Sequence, residues 1–365
     1  MIINLARLGR SGTGMWNYSI NFLDCVNDLD ELDGIICANM HKEFFGARYE
    51  GCDIFTVPDF VTNTTTISKI RPIYWFLYSF VLSFKLRMKF KNNVLVSTTH
   101  HFLPLVEKQI ITIHDLRPYY YPDSRFQRVY FRFLIRNKVK RMLHILTVSN
   151  TVKNKIVETY NVKKENISVI YNVVNKCYYE EITLLPNQRE GEAKGYYLCV
   201  GCNWKHKNIH SFIENCTETI VEKGLVIVCG KTSYTAELYD LVEKLGLKSN
   251  VIFRHDVSQD MLRNLYTNAL CLIYPSIDEG FGIPPIESFA CKTPVILSDI
   301  PVFRELFGER GIYVNINDSN DWSRVISEVS NFSVDDKLKL KEFSYGYSLE
   351  GMSDMISKFI TKIPN

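Results

Sequence analysis

The chain has 365 residues, a mass of 42.4 kDa, 46% apolar and 23% charged residues, which is an ordinary globular composition with room for two cores. Disorder, collagen and coiled coil are excluded, and the longest aromatic-rich stretch, Ile73 to Phe84, is too short to span a bilayer. The net charge of +3 hides an asymmetry: residues 1–180 carry 24 Lys+Arg against 15 Asp+Glu, a balance of +9, and the remainder carries 19 against 25, a balance of −6. A basic half joined to an acidic half points to an anionic partner for one domain. The start Met1-Ile2-Ile3-Asn4-Leu5 has no basic region or cleavage site of a secretory signal. The ten cysteines are scattered, so reduced cytoplasmic thiols are expected, and Cys199-x-x-Cys202 has no second pair to make a metal or redox site.

Met1–Leu5 reads as a short strand, followed by the loop Gly9-Arg10-Ser11-Gly12-Thr13-Gly14 and helical spacing over Trp16–Val26. Gly34–Ala38, Asp53–Val57, Val94–Ser97, Gln109–Ile113 and Ile145–Val148 are further strands, with His114-Asp115 and Ser149 at the ends of the last two. The second half repeats the pattern with Tyr196–Val200, Leu225–Cys229, Val251–Phe253, Cys271–Tyr274 and Pro294–Leu297. Strands alternating with helices predict an α/β fold of two doubly wound Rossmann-like domains facing a cleft. The expected division is 1–180, a polar linker at 181–195, 196–345, and a C-terminal helix at 346–365 that packs back on the first domain.

The most informative segment runs from Pro275 to Pro294 and follows a strand. Gly280 and Gly282 permit a sharp turn, and Pro284 with Pro285 suits the first turn of a helix, where no N–H is needed. Such a helix aims its N-terminus at the cleft and makes an anion site. Glu279 precedes that N-terminus and Glu287 falls in the first turns, so one carboxylate can reach a sugar and the other a ribose.

Glu279, seven residues, then Glu287, with Gly-Phe-Gly and Pro-Pro between, resembles the donor signature of the retaining family 4 glycosyltransferases, which have the GT-B fold. The resemblance extends to Gly12-Thr13-Gly14, to Thr112-Ile113-His114-Asp115-Leu116, to Gly201-Cys-Asn-Trp-Lys-His-Lys207-Asn208 and to Phe253–Asp256 with Leu262 and Tyr266. It implies that 1–180 is the acceptor-binding domain and 196–345 the nucleotide-sugar donor-binding domain, that Lys207 contacts the donor diphosphate, that Glu279 holds the transferred sugar, and that Glu287 holds the ribose. His114 would face the donor sugar or its developing charge, and the Phe253 segment the nucleobase. The amides of Phe281, Gly282 and Ile283 would meet phosphate or sugar oxygens, and Gly12, Thr13 and Gly14 would let backbone approach the diphosphate. Many relatives carry Arg where Asn203 stands, so Lys205 becomes a candidate second cation; many also carry Gly where Lys292 stands.

No cofactor or metal is expected: Lys207 and a helix N-terminus can neutralise the diphosphate, and Asp28-Leu-Asp30 reads as solvated surface. Two basic stretches, Lys69–Lys91 and Arg125–Arg141, interleave cations with aromatics. They read either as helices with solvated basic faces or as a surface for the anionic inner leaflet, and no nucleic-acid motif accompanies them. The expectation is a peripheral, cytoplasmic-side hexosyltransferase. It would move mannose from GDP-mannose onto a polyprenyl-diphosphate-linked surface polysaccharide. A UDP-sugar enzyme and a non-catalytic membrane-binding protein are the alternatives. An NAD dehydrogenase is disfavoured because Gly9-x-x-Gly12-x-Gly14 has the wrong spacing.

Overall fold

Thirteen short, apolar strands form two fully parallel sheets in a computed structural model that describes residues 1–8, 13–62, 71–89, 93–122, 124–180 and 195–363. The first sheet holds β1 (Ile2–Asn4), β2 (Gly34–Ala38), β3 (Asp53–Val57), β4 (Leu95–Ser97), β5 (Gln109–Ile113), β6 (His144–Thr147) and β7 (Ile167–Val169). Its order is β3-β2-β1-β4-β5-β6-β7. The second holds β8 (Tyr196–Val200), β9 (Leu225–Val228), β10 (Val251–Arg254), β11 (Ala269–Tyr274), β12 (Val295–Ser298) and β13 (Ile312–Val314), in the order β10-β9-β8-β11-β12-β13. Helices cover both faces, so strands such as β2, β5 and β8 are buried along their whole length.

Each sheet winds outward in both directions from two central neighbours. In the first these are β1 and β4, and in the second β8 and β11. Strand order reverses at each pair, and the loops leaving their carboxyl ends define a crevice.

The chain divides into two units, Met1–Val173 with Leu349–Asn365, and Val174–Ser348. The boundary therefore falls earlier than 180. Residues 174–180 belong with the second unit because Arg263 donates to the Cys177 carbonyl at 2.8 Å and Tyr179 donates to the Ser344 carbonyl at 2.7 Å. The linker expected at 181–195 lies outside the described residues except for Gly195. The C-terminal helix Leu349–Ile360 packs on the first helix, Gly14–Asp28, and Phe359 meets the His144 ring at 5.6 Å. Asp28 and Asp30 are exposed where the first helix ends.

The helix Arg71–Lys89 has two apolar faces. Trp75, Leu82 and Leu86 are buried in the core, but Leu77, Phe84 and Met88 are 59%, 61% and 70% exposed, with Ile73, Phe80 and Val81 beside them. Lys85 and Arg87 are exposed on the same helix; Lys69 and Lys91 lie outside the described residues. Among the described residues no helix is long and apolar enough to cross a membrane.

Candidate active site

The second unit's crevice is built from the loops after β8 and β11. The β8 loop ends in a short 3-10 turn, Lys205–Lys207, closed by Asn208 in the left-handed region at φ +57°. A backbone bond from Ile277 N–H to the His206 carbonyl, 2.9 Å, ties this turn to the β11 loop. Ser298, at the end of β12, donates to the Ser276 carbonyl and fixes the β11 loop from its other side.

These ties bring Lys207 and Glu279 together. Lys207 Nζ donates to Glu279 Oε1 at 2.5 Å and to Tyr274 Oη at 2.8 Å, and Tyr274 Oη donates to the same carboxylate oxygen at 3.0 Å. The Lys207 and Glu279 side chains are 15% and 13% exposed. Burial alone would raise the Glu279 carboxyl, but the Lys207 ammonium more than offsets this and holds it below the ordinary carboxylate value. Burial alone would lower Lys207; Tyr274 and Glu279 hold it above its ordinary value. Both groups are therefore charged at neutral pH.

The helix Ile283–Ala290 begins next to this pair. Gly282 caps it at φ +112°, and a Cβ there would lie 3.0 Å from the Phe303 ring, so both backbone and space require glycine. Pro284 and Pro285 have no N–H. The donors at this N-terminus are thereby confined to Phe281, Gly282 and Ile283. Phe281 itself is buried and meets Tyr347 edge-on at 5.8 Å.

Glu287 is placed differently. It is buried within the helix, accepts from Tyr266 Oη at 2.9 Å, and is also hydrogen-bonded by Tyr178. Burial pushes its carboxyl up to about 7 despite those two bonds. Tyr266, expected beside the nucleobase, is fully buried on this carboxylate. Phe253 stacks on Tyr239 with ring centroids 3.8 Å apart.

Asn203 does not stand in for a cation. Its Oδ1 accepts from Gly230 N–H at 2.5 Å and its carbonyl accepts from Thr232 Oγ at 2.9 Å, so it braces the β8 loop against the β9 loop. Lys205 turns away from Lys207; it is 76% exposed and lies 3.6 Å from Glu237.

His114 belongs to the first unit, just past β5. Its Nε2 lies 2.9 Å from the Thr98 carbonyl, which can only accept, so the proton sits on Nε2 and leaves Nδ1 as the acceptor. Burial lowers its pKa, which favours this neutral form. Thr13 caps the first helix by accepting from Trp16 N–H at 3.3 Å, and Gly14 is that helix's first residue. Gly12 lies outside the described residues.

Sequence reasoning missed Tyr274 and Tyr178. Tyr274 is the last residue of β11, immediately before the loop, and that position was the available signal. Tyr178 gave none, because it is distant in sequence and outside any motif.

Known proteins resemble this chain along its whole length. The model for "Glycosyl transferases group 1" matches residues 183–344, and that for "Glycosyltransferase Family 4" matches residues 61–176. The chain is 46% identical over 362 residues to the O-antigen chain mannosyltransferase RfbU of Salmonella typhimurium, covering 99% of each. Its fold is similar to that of Anabaena HepE in complex with UDP and glucose, with TM-score 0.73, 15% identity, and 99% of both chains covered. It is likewise similar to WaaG, a glycosyltransferase involved in lipopolysaccharide biosynthesis, with TM-score 0.70, 15% identity, and 99% of both chains covered. With two Rossmann-like sheets and this full-length likeness, the chain belongs to the family 4 glycosyltransferases of GT-B fold.

Proposed function

We propose that the chain is a retaining mannosyltransferase that uses GDP-mannose and extends a surface saccharide carried on a polyprenyl diphosphate. The observation that carries this reading is the buried Lys207–Glu279 pair beside a helix N-terminus. Mannose and the surface saccharide are suggested by the name of the Salmonella relative. Lys207 would take the leaving diphosphate as a compact cation, and the amides before Ile286 would add donors to its oxygens. Glu279, released from Lys207, would accept from hydroxyls of the transferred sugar. The acceptor oxygen bonds to the anomeric carbon as the bond to phosphate breaks, on the same face. The acceptor's proton passes to the departing phosphate oxygen. No side chain becomes covalently attached; the protein contributes position and fixed charge.

A direct test is transfer and hydrolysis across GDP-mannose, UDP-glucose and dTDP-glucose, each with and without excess EDTA. The reading expects turnover with GDP-mannose that survives EDTA, because Lys207 already supplies the cation. Preference for a UDP donor would overturn the nucleotide assignment, and loss in EDTA restored by magnesium would overturn metal independence.

The acceptor's lipid implies a membrane surface, and we propose that the first unit docks on the cytoplasmic leaflet. The exposed ladder Leu77, Phe80, Phe84 and Met88 supplies apolar insertion. Lys85 and Arg87, with the exposed cations Arg125, Arg128, Arg132 and Arg136, supply about 1 kcal/mol each against anionic lipid. The protein should sediment with anionic liposomes at low salt and be released by roughly 0.5 M NaCl, where screening is short-ranged. Failure to sediment at low salt would return these faces to solvent.

A further inference from the structure

Lys207 and Glu279 must part for the proposed reaction, because the diphosphate claims one and the transferred sugar the other. In the structure each is the other's charged partner, and both side chains are largely buried. A buried carboxylate that loses its cation is driven to take up a proton, and a protonated Glu279 no longer offers a charge to the sugar. A group other than Lys207 has to hold it ionised and aimed while the cation is elsewhere.

The groups that face Glu279 are Lys207 and His206 from the β8 loop, and Tyr274 and Ser276 from β11 and its loop. Tyr274 differs from Lys207 in being fixed. Its ring is 2% exposed and meets the Phe303 ring at 5.7 Å, and Phe303 is the same ring that a Cβ at Gly282 would approach to 3.0 Å. The tyrosine therefore shares its support with the start of the helix Ile283–Ala290. Lys207 carries its ammonium on a flexible four-carbon stem and can swing toward a phosphate, where the packed ring cannot follow.

The hydroxyl is also in the right state. It accepts from Lys207 at 2.8 Å and spends its single proton on Glu279 Oε1 at 3.0 Å. Burial and the neighbouring Glu279 charge push the phenol above its ordinary value, so that proton stays on the oxygen. Lys207 and Tyr274 address the same carboxylate oxygen, and departure of Lys207 leaves that oxygen with a donor already in place. We propose that Tyr274 is a positioning residue for the transfer reaction: its hydroxyl keeps the Glu279 carboxylate in place while Lys207 turns to the departing diphosphate. This rests on the reading of Lys207 and Glu279 as the diphosphate and sugar contacts. Tyr274 acts through Glu279 and needs no contact with the donor.

The test is Tyr274→Phe in the whole chain, which keeps the ring and removes one oxygen. With GDP-mannose at saturation, kcat should fall about 10-fold, the size of a lost hydrogen bond to a charged group, while the donor KM moves by less than about twofold. The acid limb of the kcat profile should move to higher pH by roughly one unit, because a carboxylate with fewer donors takes its proton sooner as pH falls. His206 and Ser276 are common to both proteins, so the difference between the profiles belongs to Tyr274. In a Glu279→Gln background the same change should cost less than about twofold, since Tyr274 acts through that carboxylate. Replacing Tyr274 with 3-fluorotyrosine keeps the packing and strengthens the donor, and its acid limb should move the other way. An unaltered thermal shift by GDP reports that each variant is folded. A kcat loss equal at every pH, or one additive with Glu279→Gln, would make Tyr274 a packing residue and overturn the proposal, as would a Phe variant at wild-type kcat. The donor reading fails by a different result, a Glu279→Gln variant at wild-type rate. A slow Glu279→Gln beside a fully active Tyr274→Phe keeps that reading and loses only the role of Tyr274.

Discussion

In the second unit the reversal between β8 and β11 is filled by opposite charges: Lys207, Glu279 and the Tyr274 hydroxyl hold one another in a closed cluster. In the first unit the reversal between β1 and β4 is an open cavity of aromatics around the cation Arg7, with the His100 imidazole held neutral by burial. Two sheets wound alike thus offer the same kind of place, and the loop residues decide the chemistry. A closed ion pair suits a ligand that brings its own charges and rearranges the pair on arrival. An aromatic cavity suits a ligand recognised by shape and hydroxyls.

The sharpest way to break this comparison is to disarm the charged crevice. Glu279→Gln and Lys207→Gln should each lower kcat by roughly 10²-fold or more, because each removes charge aimed at the reacting sugar or the leaving diphosphate. The double variant should cost far less than the product of the two, since each single change leaves the other charge buried and unpaired. Rates with saturating donor, on variants whose folding is verified by circular dichroism, give the answer. Two singles at wild-type rate would make the pair structural and leave the second unit without a catalytic crevice.

The sheets were legible because parallel strands buried on both faces read as short apolar runs between glycines; Gly34–Ala38, Asp53–Val57, Gln109–Ile113 and Tyr196–Val200 fall where the sequence puts them. The edge strands Ile167–Val169 and Ile312–Val314 were missed. Glu279 and Glu287 were legible through their spacing around one helix start, and Lys207 only through the resemblance of its loop to a phosphate-binding one; their pairing across two loops was not. The role of Asn203 was not, because its partners Gly230 and Thr232 come from the next strand's loop. The first unit's cavity was illegible for the same reason at larger scale. Arg7, Trp75, His101 and Tyr130 meet only once two central strands and two helices are in place. For the helix Arg71–Lys89 the sequence left two readings open, a solvated basic face or a membrane-facing surface, and neither named which aromatics stay exposed; Phe80 and Phe84 do.

A second, smaller effect separates the two carboxylates of the charged unit. Free in an unfolded chain, Glu287 titrates near 4.5; folded, it titrates at about 7. Below 4.5 both states hold the proton and the difference vanishes. Between 4.5 and 7 the unfolded chain releases a proton that the folded one retains, so stability falls as pH rises, and above 7 the full penalty applies. Glu287→Gln should therefore raise stability at pH 8 by an amount on the order of 2–3 kcal/mol, with the gain shrinking to little at pH 4.5. Denaturant titrations at several pH values measure this. The same variant should raise the donor KM with kcat nearly unchanged if Glu287 meets the ribose, since such contacts alter little during reaction. A gain independent of pH would mean that Glu287 is ionised in the folded state at a cost too small to matter.

The smallest effect lies at the far end of the helix that carries Glu287. Lys292, two residues past Ala290, sits in the left-handed region at φ +63°, a conformation that glycine adopts at no steric cost. Its N–H donates to the Phe289 carbonyl at 2.9 Å, so the turn closes the helix whatever side chain it bears. Lys292→Gly should relieve about 1 kcal/mol of backbone strain, less a few tenths for the extra freedom of glycine in the unfolded chain. Thermal melts should show a rise in Tm of a degree or two for a unit of this size. The turnover should not move, because the charged crevice is set at the helix's other end by Gly282 and by the ties from Ile277 and Ser298. A change in kcat with unchanged stability would show that the end of the helix and its beginning are mechanically coupled. The charged crevice would then depend on more than its own loops.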